Sequence, residues 1–94
     1  MKAYWVVRGD ILNQEEYSKY IDLAGPIIDK HKGKFLVRGG KSIIKEGEKS
    51  PRTVLIEFPS HDEANAFYQS KDYQEAHSIL DGFAERQFQI IEGI

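Results

Sequence analysis

The sequence predicts an α+β fold, a ferredoxin-like βαββαβ sandwich in which two helical segments cover one face of an antiparallel sheet. Three observations predict it. Four runs rich in β-branched and aromatic residues, at 3–8, 34–39, 52–58 and 86–92, read as strands. Two regions carry apolar residues at spacings of three and four, each opened by a capping signal, and read as helical. Their alternation gives β-α-β-β-α-β, for which a right-handed crossover with both helices on one face is the dominant solution.

The first strand is "AYWVVR" at 3–8, followed by a connection at 10–13. Asn13 and Glu16 have the spacing of a capping box, which opens a helix running to about His31. Tyr17, Tyr20, Ile21, Ala24, Ile27, Ile28 and His31 make its buried stripe. Gly25-Pro26 interrupts it, since Pro26 removes a helical hydrogen bond. Gly33 suits the left-handed position that ends a helix. "KFLVRG" at 34–39 is the second strand, with 41–45 continuing it beyond a bend at the glycines. A turn is expected at 47–51, then the clearest strand, "RTVLIEF" at 52–58, which Pro59 ends. Ser60 and Glu63 form a second capping box for a helix at 61–69, with Ala64, Phe67 and Tyr68 inward. Ser70 recaps the chain for a further helix carrying Tyr73, Ala76, Ile79, Leu80 and Phe83. The last strand is "RQFQIIE" at 86–92.

A single domain of 94 residues hides only about 60–65% of its unfolded surface, so pairing with a second copy is expected. The strands point the same way. Val54, Ile56 and Phe58 form one register, but the other, Thr53, Leu55 and Glu57, mixes apolar with charged residues. Leu36 with Arg38, and Gln89 with Ile91, repeat that mixture on the second face. A sheet with one solvent face alternates apolar with fully polar residues. The second face is therefore expected to be covered by a partner, forming a homodimeric α+β barrel that encloses a cavity.

Composition excludes several classes. Hydrophobic residues make up 40% and charged residues 30%, as in a soluble globular domain. The chain has no cysteine, which removes thiolate chemistry and suits a cytoplasmic setting. No apolar run reaches the roughly 20 residues a membrane helix needs, so no membrane is expected. Net charge is −2 with scattered Lys and Arg, and "PRTVLIEF" lacks the glycines and first aromatic of an RNA-recognition strand, so no nucleic acid is expected. Gly40-Lys41-Ser42 resembles the end of a phosphate loop, but that loop needs a glycine where Phe35 stands and a helix where Ile43-Ile44 stand. The alternative is a strand bent by a glycine bulge, which would aim Arg38. The three histidines share no metal-ligand spacing, and neither a metal nor a cofactor is expected.

Arg38, Glu57 and Glu92 are charges in or at the end of apolar strands. Either they pair to tie strands or subunits together, or Arg38 binds a carboxylate or enolate oxygen while Glu57 or Glu92 serves as base. Arg52, near the turn, reads as a surface or interface partner of an acid. Trp5 and the tyrosines are core residues or the lining of a pocket for an apolar ligand. His31 either caps its helix or serves as an acid/base in the pocket. His77 can pair with Asp81.

"KFLVRGG" at 34–40, "P-R-x-V-x-I-E-F-P-S" at 51–60, "A-F-Y-x-S-x-x-Y" at 66–73 and "I-I-E-G" at 90–93, in that order over nearly the whole chain, resemble the domain-of-unknown-function family numbered 1330. The resemblance implies a ferredoxin-like protomer in the dimeric α+β barrel superfamily, whose members include cofactor-independent monooxygenases, haem enzymes, isomerases and stress-response proteins. It adds weight to His31, and it marks Tyr73 with Ser70 as a site pair. It also implies an arginine in the last helix, where this chain has Leu80 followed by Asp81. The function expected is a small-molecule-binding dimer, acting as a cofactor-independent enzyme on a small carbonyl or phenolic compound. The candidate catalytic residues are Arg38, Glu57, Tyr73 and His31, with Trp5, Glu92 and Ser70 binding ligand. The alternative is a non-catalytic metabolite-binding or stress-associated structural dimer.

Overall fold

The computed structural model describes residues 1–47, 52–80, 82 and 84–94. The elements are β1 (Ala3–Ile11), α1 (Gln14–Lys30), β2 (Lys34–Arg38), β3 (Arg52–Phe58), α2 (His61–Gln69), α3 (Lys71–His77), a 3₁₀ turn (Ser78–Leu80) and β4 (Ala84–Glu92). The sheet has the order β2-β3-β1-β4, and its pairs are antiparallel. This is the ferredoxin-like sandwich expected from the sequence.

Both capping signals act as read: Asn13 Oδ1 accepts from the Glu16 amide at 3.2 Å, and Ser60 Oγ from the Glu63 amide at 3.1 Å. Ser70 recaps the chain, its Oγ accepting from the Tyr73 amide at 3.2 Å. Between Ala3 and Phe58 the core is aromatic. Trp5 packs against Phe88 (ring centroids 4.3 Å apart), Phe67 (4.9 Å) and Tyr73 (5.2 Å). From α1, Tyr17, Tyr20, Ala24 and Ile28 are buried against the sheet.

Five details depart from the sequence reading. First, β1 runs three residues further, through Gly9 to Ile11, because Asp10 and Ile11 pair with Glu85 and Ala84 of β4. Second, α1 continues unbroken through Pro26. Third, Lys32, not Gly33, takes the left-handed backbone (φ 65°) after α1. The Lys32 amide donates to the Asp29 carbonyl at 3.0 Å and the Gly33 amide to Ile28 at 2.8 Å, the paired bonds of a Schellman ending. Gly33 is needed for closeness: a methyl group there would lie 2.7 Å from Ile28 Cγ2 and 2.9 Å from Phe58 Cε1. Fourth, no strand continues at 41–45; β2 ends at Arg38. Fifth, the bulge lies before the glycines. Phe35 pairs with Ile56 but Val37 with Leu55, so Leu36 is the extra residue. The turn expected at 47–51, Phe83, and the pairing of His77 with Asp81 fall wholly or partly outside the described residues.

The bulge has a structural effect. A regular strand would hold Arg38 on the face away from the helices, with Leu36. The extra residue reverses the alternation. Val37 faces outward opposite Leu55, and Arg38 takes the helix-facing register opposite Val54.

Candidate functional site

A pocket lies between α1 and the helix-facing side of β1, β2, β3 and β4. Its inner volume is about 40 Å³. By the same measure a single water needs about 10–15 Å³, so a few waters or a small molecule fit. It lies on the opposite side of the sheet from the mixed face that the sequence reading took to line a cavity. One wall is apolar, formed by Ile21, Ala24 and Ile28 of α1 with Phe35 and Ile56 below. Three arginines share this apolar space: Arg38, Arg52 and Arg86.

Backbone geometry brings them together. Gly9 stands opposite Arg52 on one side of β1 and Arg86 on the other, so both arginines take the helix-facing register at one level of the sheet. A side chain at Gly9 would run into Glu85 and the Arg86 stem. Gly39, held at φ 65° with its amide donating to the Thr53 carbonyl at 2.8 Å, leaves room for the Arg52 guanidinium, which any Cβ there would strike. The first glycine of "RGG", Gly39, thus serves an arginine and not a phosphate loop.

Each guanidinium rests near a ring: Arg38 on Phe35 (4.0 Å to the centroid), Arg86 near Tyr20 (5.4 Å) and Arg52 near Tyr17 (5.6 Å). Such stacking uses the flat face of the cation and leaves its in-plane N–H donors for other partners. Among the described residues no carboxylate lies within ion-pair distance of any of the three. Two buried donors find no acceptor among the described residues, Arg52 Nε and Trp5 Nε1.

Arg86 reaches the deepest polar group. Its Nη2 donates to the Tyr73 hydroxyl at 3.2 Å and its Nη1 to the Tyr20 hydroxyl at 3.4 Å, while the two hydroxyls lie 2.9 Å apart. Burial pushes both phenols above their ordinary pKa. Tyr20 adds to the rise at Tyr73, whereas Arg86 and the hydrogen bond with Tyr73 oppose it at Tyr20. Both phenols therefore hold their protons more tightly in the folded chain than in the unfolded one. Their contribution to stability is complete below about pH 10 and is lost as pH rises from there. In an alkaline titration, phenolate absorbance from Tyr73 is expected only together with unfolding. Titration of all five tyrosines near pH 10 with the fold intact would contradict this.

The other sequence candidates scatter. Trp5 and Arg38 line the pocket, and Tyr73 adjoins it through Tyr20. Glu57 lies on the far side of the sheet, 3.2 Å from Lys2 Nζ, so it and Arg38 sit on opposite faces. Glu92 is exposed at the end of β4. His31 caps α1, with Nδ1 3.5 Å from Glu63 Oε1 and its ring beside Phe67. Ser70 is engaged as a cap. Leu80 is buried in the core. Two pocket arginines were missed. Arg52, expected at the surface or an interface as the partner of an acid, shares the inward register of Val54, Ile56 and Phe58 and lines the pocket. Arg86 precedes Phe88 and Ile90 in the inward register of the last strand, and that signal was available. Among the described residues no three acidic or histidine side chains gather to hold a metal ion, and no helix is long and apolar enough to cross a membrane.

A four-stranded antiparallel sheet under one layer of helices, with a cationic pocket between them, defines a ferredoxin-like α+β protein. The chain belongs to the family Domain of unknown function (DUF1330), whose model matches residues 2–94. No curated protein matches it significantly. Among solved structures it is similar to a protein of unknown function from Rhodopseudomonas palustris (TM-score 0.79, 16% identity, 99% of this chain and 82% of that one). It is also similar to SnoaB, a cofactor-independent oxygenase from Streptomyces nogalater (0.67, 13%, 99% and 93%). A third is a dimeric ferredoxin-like protein of unknown function from Jannaschia sp. CCS1 (0.67, 13%, 99% and 100%). At these identities the likeness establishes the fold.

Proposed function

We propose that the protein is a homodimer that binds a small organic anion, a carbonyl or phenolic compound in its ionised form, in the pocket beneath α1. The observation that carries this reading is the meeting of Arg38, Arg52 and Arg86 in one apolar pocket with no described carboxylate to neutralise them. Guanidinium charge drawn from water, as at the half-buried Arg52 and Arg86, is costly unless something answers it, and an anionic ligand does. An enolate or phenolate held this way is the activated form that cofactor-independent chemistry requires, which the likeness to SnoaB supports. No described residue lining the pocket is a carboxylate or a histidine, and that favours a second reading in which the anion is bound without turnover.

The test is native mass spectrometry of freshly purified protein followed by a denaturing run. The expected result is a dimer carrying a small additional mass that is lost on denaturation. Bare protein, together with no shift of pocket resonances on titration with salicylate, would overturn the reading.

Dimerisation is proposed through the open sheet face, where Tyr4, Val6, Val37 and Leu55 form an apolar patch and Ile91 is 48% exposed. Leu55→Lys would place two unpaired ammonium groups in the dimer interface, each costing more than the about 1–3 kcal/mol of a buried neutral polar group, and weaken association by at least about 30-fold. Light scattering across a dilution series checks this; an unchanged dimer would place the interface elsewhere.

A further inference from the structure

Counting hydrogens at the inner end of the pocket narrows what it can hold. Tyr20 and Tyr73 bring two hydroxyl hydrogens, and their 2.9 Å contact uses one of them. Arg86 faces both oxygens and can only donate. One hydroxyl hydrogen is therefore left without an acceptor inside the cluster. Tyr73 is fully buried and does not line the pocket, so leaving its hydrogen unpaired would orphan a donor in the core. With Tyr73 donating to Tyr20 and Arg86 donating to both, both hydroxyl oxygens have donors and the hydroxyl hydrogen left over is that of Tyr20, which lines the pocket. Arg52 Nε and Trp5 Nε1, both on residues of the same lining, also lack acceptors among the described residues. The inner pocket offers donors and asks for acceptors in more than one place. A plain monocarboxylate meets the charge of one arginine and leaves the hydroxyl of Tyr20 facing a methylene group.

We propose that the occupant is a short 2-oxo carboxylate, or its enolate, with the carboxylate answering Arg52 and the neighbouring oxygen taking the hydrogen of Tyr20 beside Arg86. This rests on the reading of the pocket as an anion site and adds the class of anion. The small inner volume suits an acid of a few carbons, and the wall of Ile21, Ala24 and Ile28 accommodates a short alkyl end. Tyr20 is then the residue that selects the ligand, and Tyr73 is a positioning residue that fixes the direction of its hydroxyl.

The experiment is an NMR titration of isotope-labelled protein with 2-oxobutyrate and, separately, with butyrate at matched pH and ionic strength. 2-Oxobutyrate is expected to bind at least about tenfold more tightly, since a donor left facing an apolar group forfeits its hydrogen bond. Tyr20→Phe should bring the two acids to equal affinity while butyrate binding persists. That variant deprives Tyr73 of its acceptor, so Tyr20→Phe/Tyr73→Phe, which leaves no orphaned hydroxyl, provides the folded control and should give the same equality. Equal affinities in the unsubstituted protein, or a preference that survives both variants, would overturn the assignment of a 2-oxo acid while keeping the anion site. Binding of neither acid would overturn both.

Discussion

Arg86→Met should weaken anion binding by about 10- to 150-fold, the loss of a charged hydrogen-bond donor worth about 1.5–3 kcal/mol. It should leave the ligand-free protein as stable as before, or slightly more so. The two expectations share one cause. Arg86 is half-buried between Tyr20 and Tyr73, whose oxygens at 3.4 and 3.2 Å are its hydrogen-bond partners, with no described carboxylate to neutralise it. Withdrawing a guanidinium from water costs several kcal/mol, and two long bonds to neutral phenols recover only part of it. Methionine fills similar space without that cost. The charge is thus poorly explained as a stabiliser of the fold and well explained as a group held ready for an anion. Thermal melts with and without salicylate check this. Loss of both affinity and more than about 2 kcal/mol of stability, roughly 8–16 °C in Tm for a chain of this size, would make Arg86 a structural anchor instead.

The architecture was readable because local signals agree with it. The capping residues Asn13, Ser60 and Ser70 each bond the amide that their position demands, and the inward register of 52–58 matches the observed burial of Val54, Ile56 and Phe58. The site was less readable because it depends on strand pairing, which one strand's pattern does not contain. Arg38 and Glu57 looked like partners on one face. One extra residue at Leu36 separates them by the thickness of the sheet, and no composition signal at Leu36 announces a bulge. The glycines of "RGG" suggest the bend, yet the one beside Arg52, Gly39, clears space for its guanidinium. Gly9 lies just beyond the strand read at 3–8, although a glycine there is what lets Arg52 and Arg86 flank β1 closely. Arg86 could have been found by extending the register of Phe88 and Ile90 by two residues, a step that treats a charged residue as inward-facing.

Trp5→Ala should destabilise the protein by about 3–5 kcal/mol, against a total stability of about 5–15 kcal/mol for a domain, and so lower Tm by at least ~12 °C. Trp5 is 2% exposed and central to the aromatic core, with Phe88, Phe67 and Tyr73 all in contact with its ring. None of these rings can fill the vacancy without leaving its own neighbours, so most of the cavity should persist. Trp5→Phe separates the two roles of the residue. The phenyl ring keeps most of the aromatic contacts and removes an indole N–H that has no acceptor among the described residues. If packing is all that Trp5 supplies, Trp5→Phe should cost less than half as much as Trp5→Ala, because a missing hydrogen bond cannot be lost. Its effect on anion affinity should also be small. A large loss of affinity in a stable Trp5→Phe protein would instead mean that the indole N–H finds its acceptor on the ligand, making Trp5 a third donor beside Tyr20 and Arg52. Chemical unfolding and an anion titration on the same two variants decide between these outcomes.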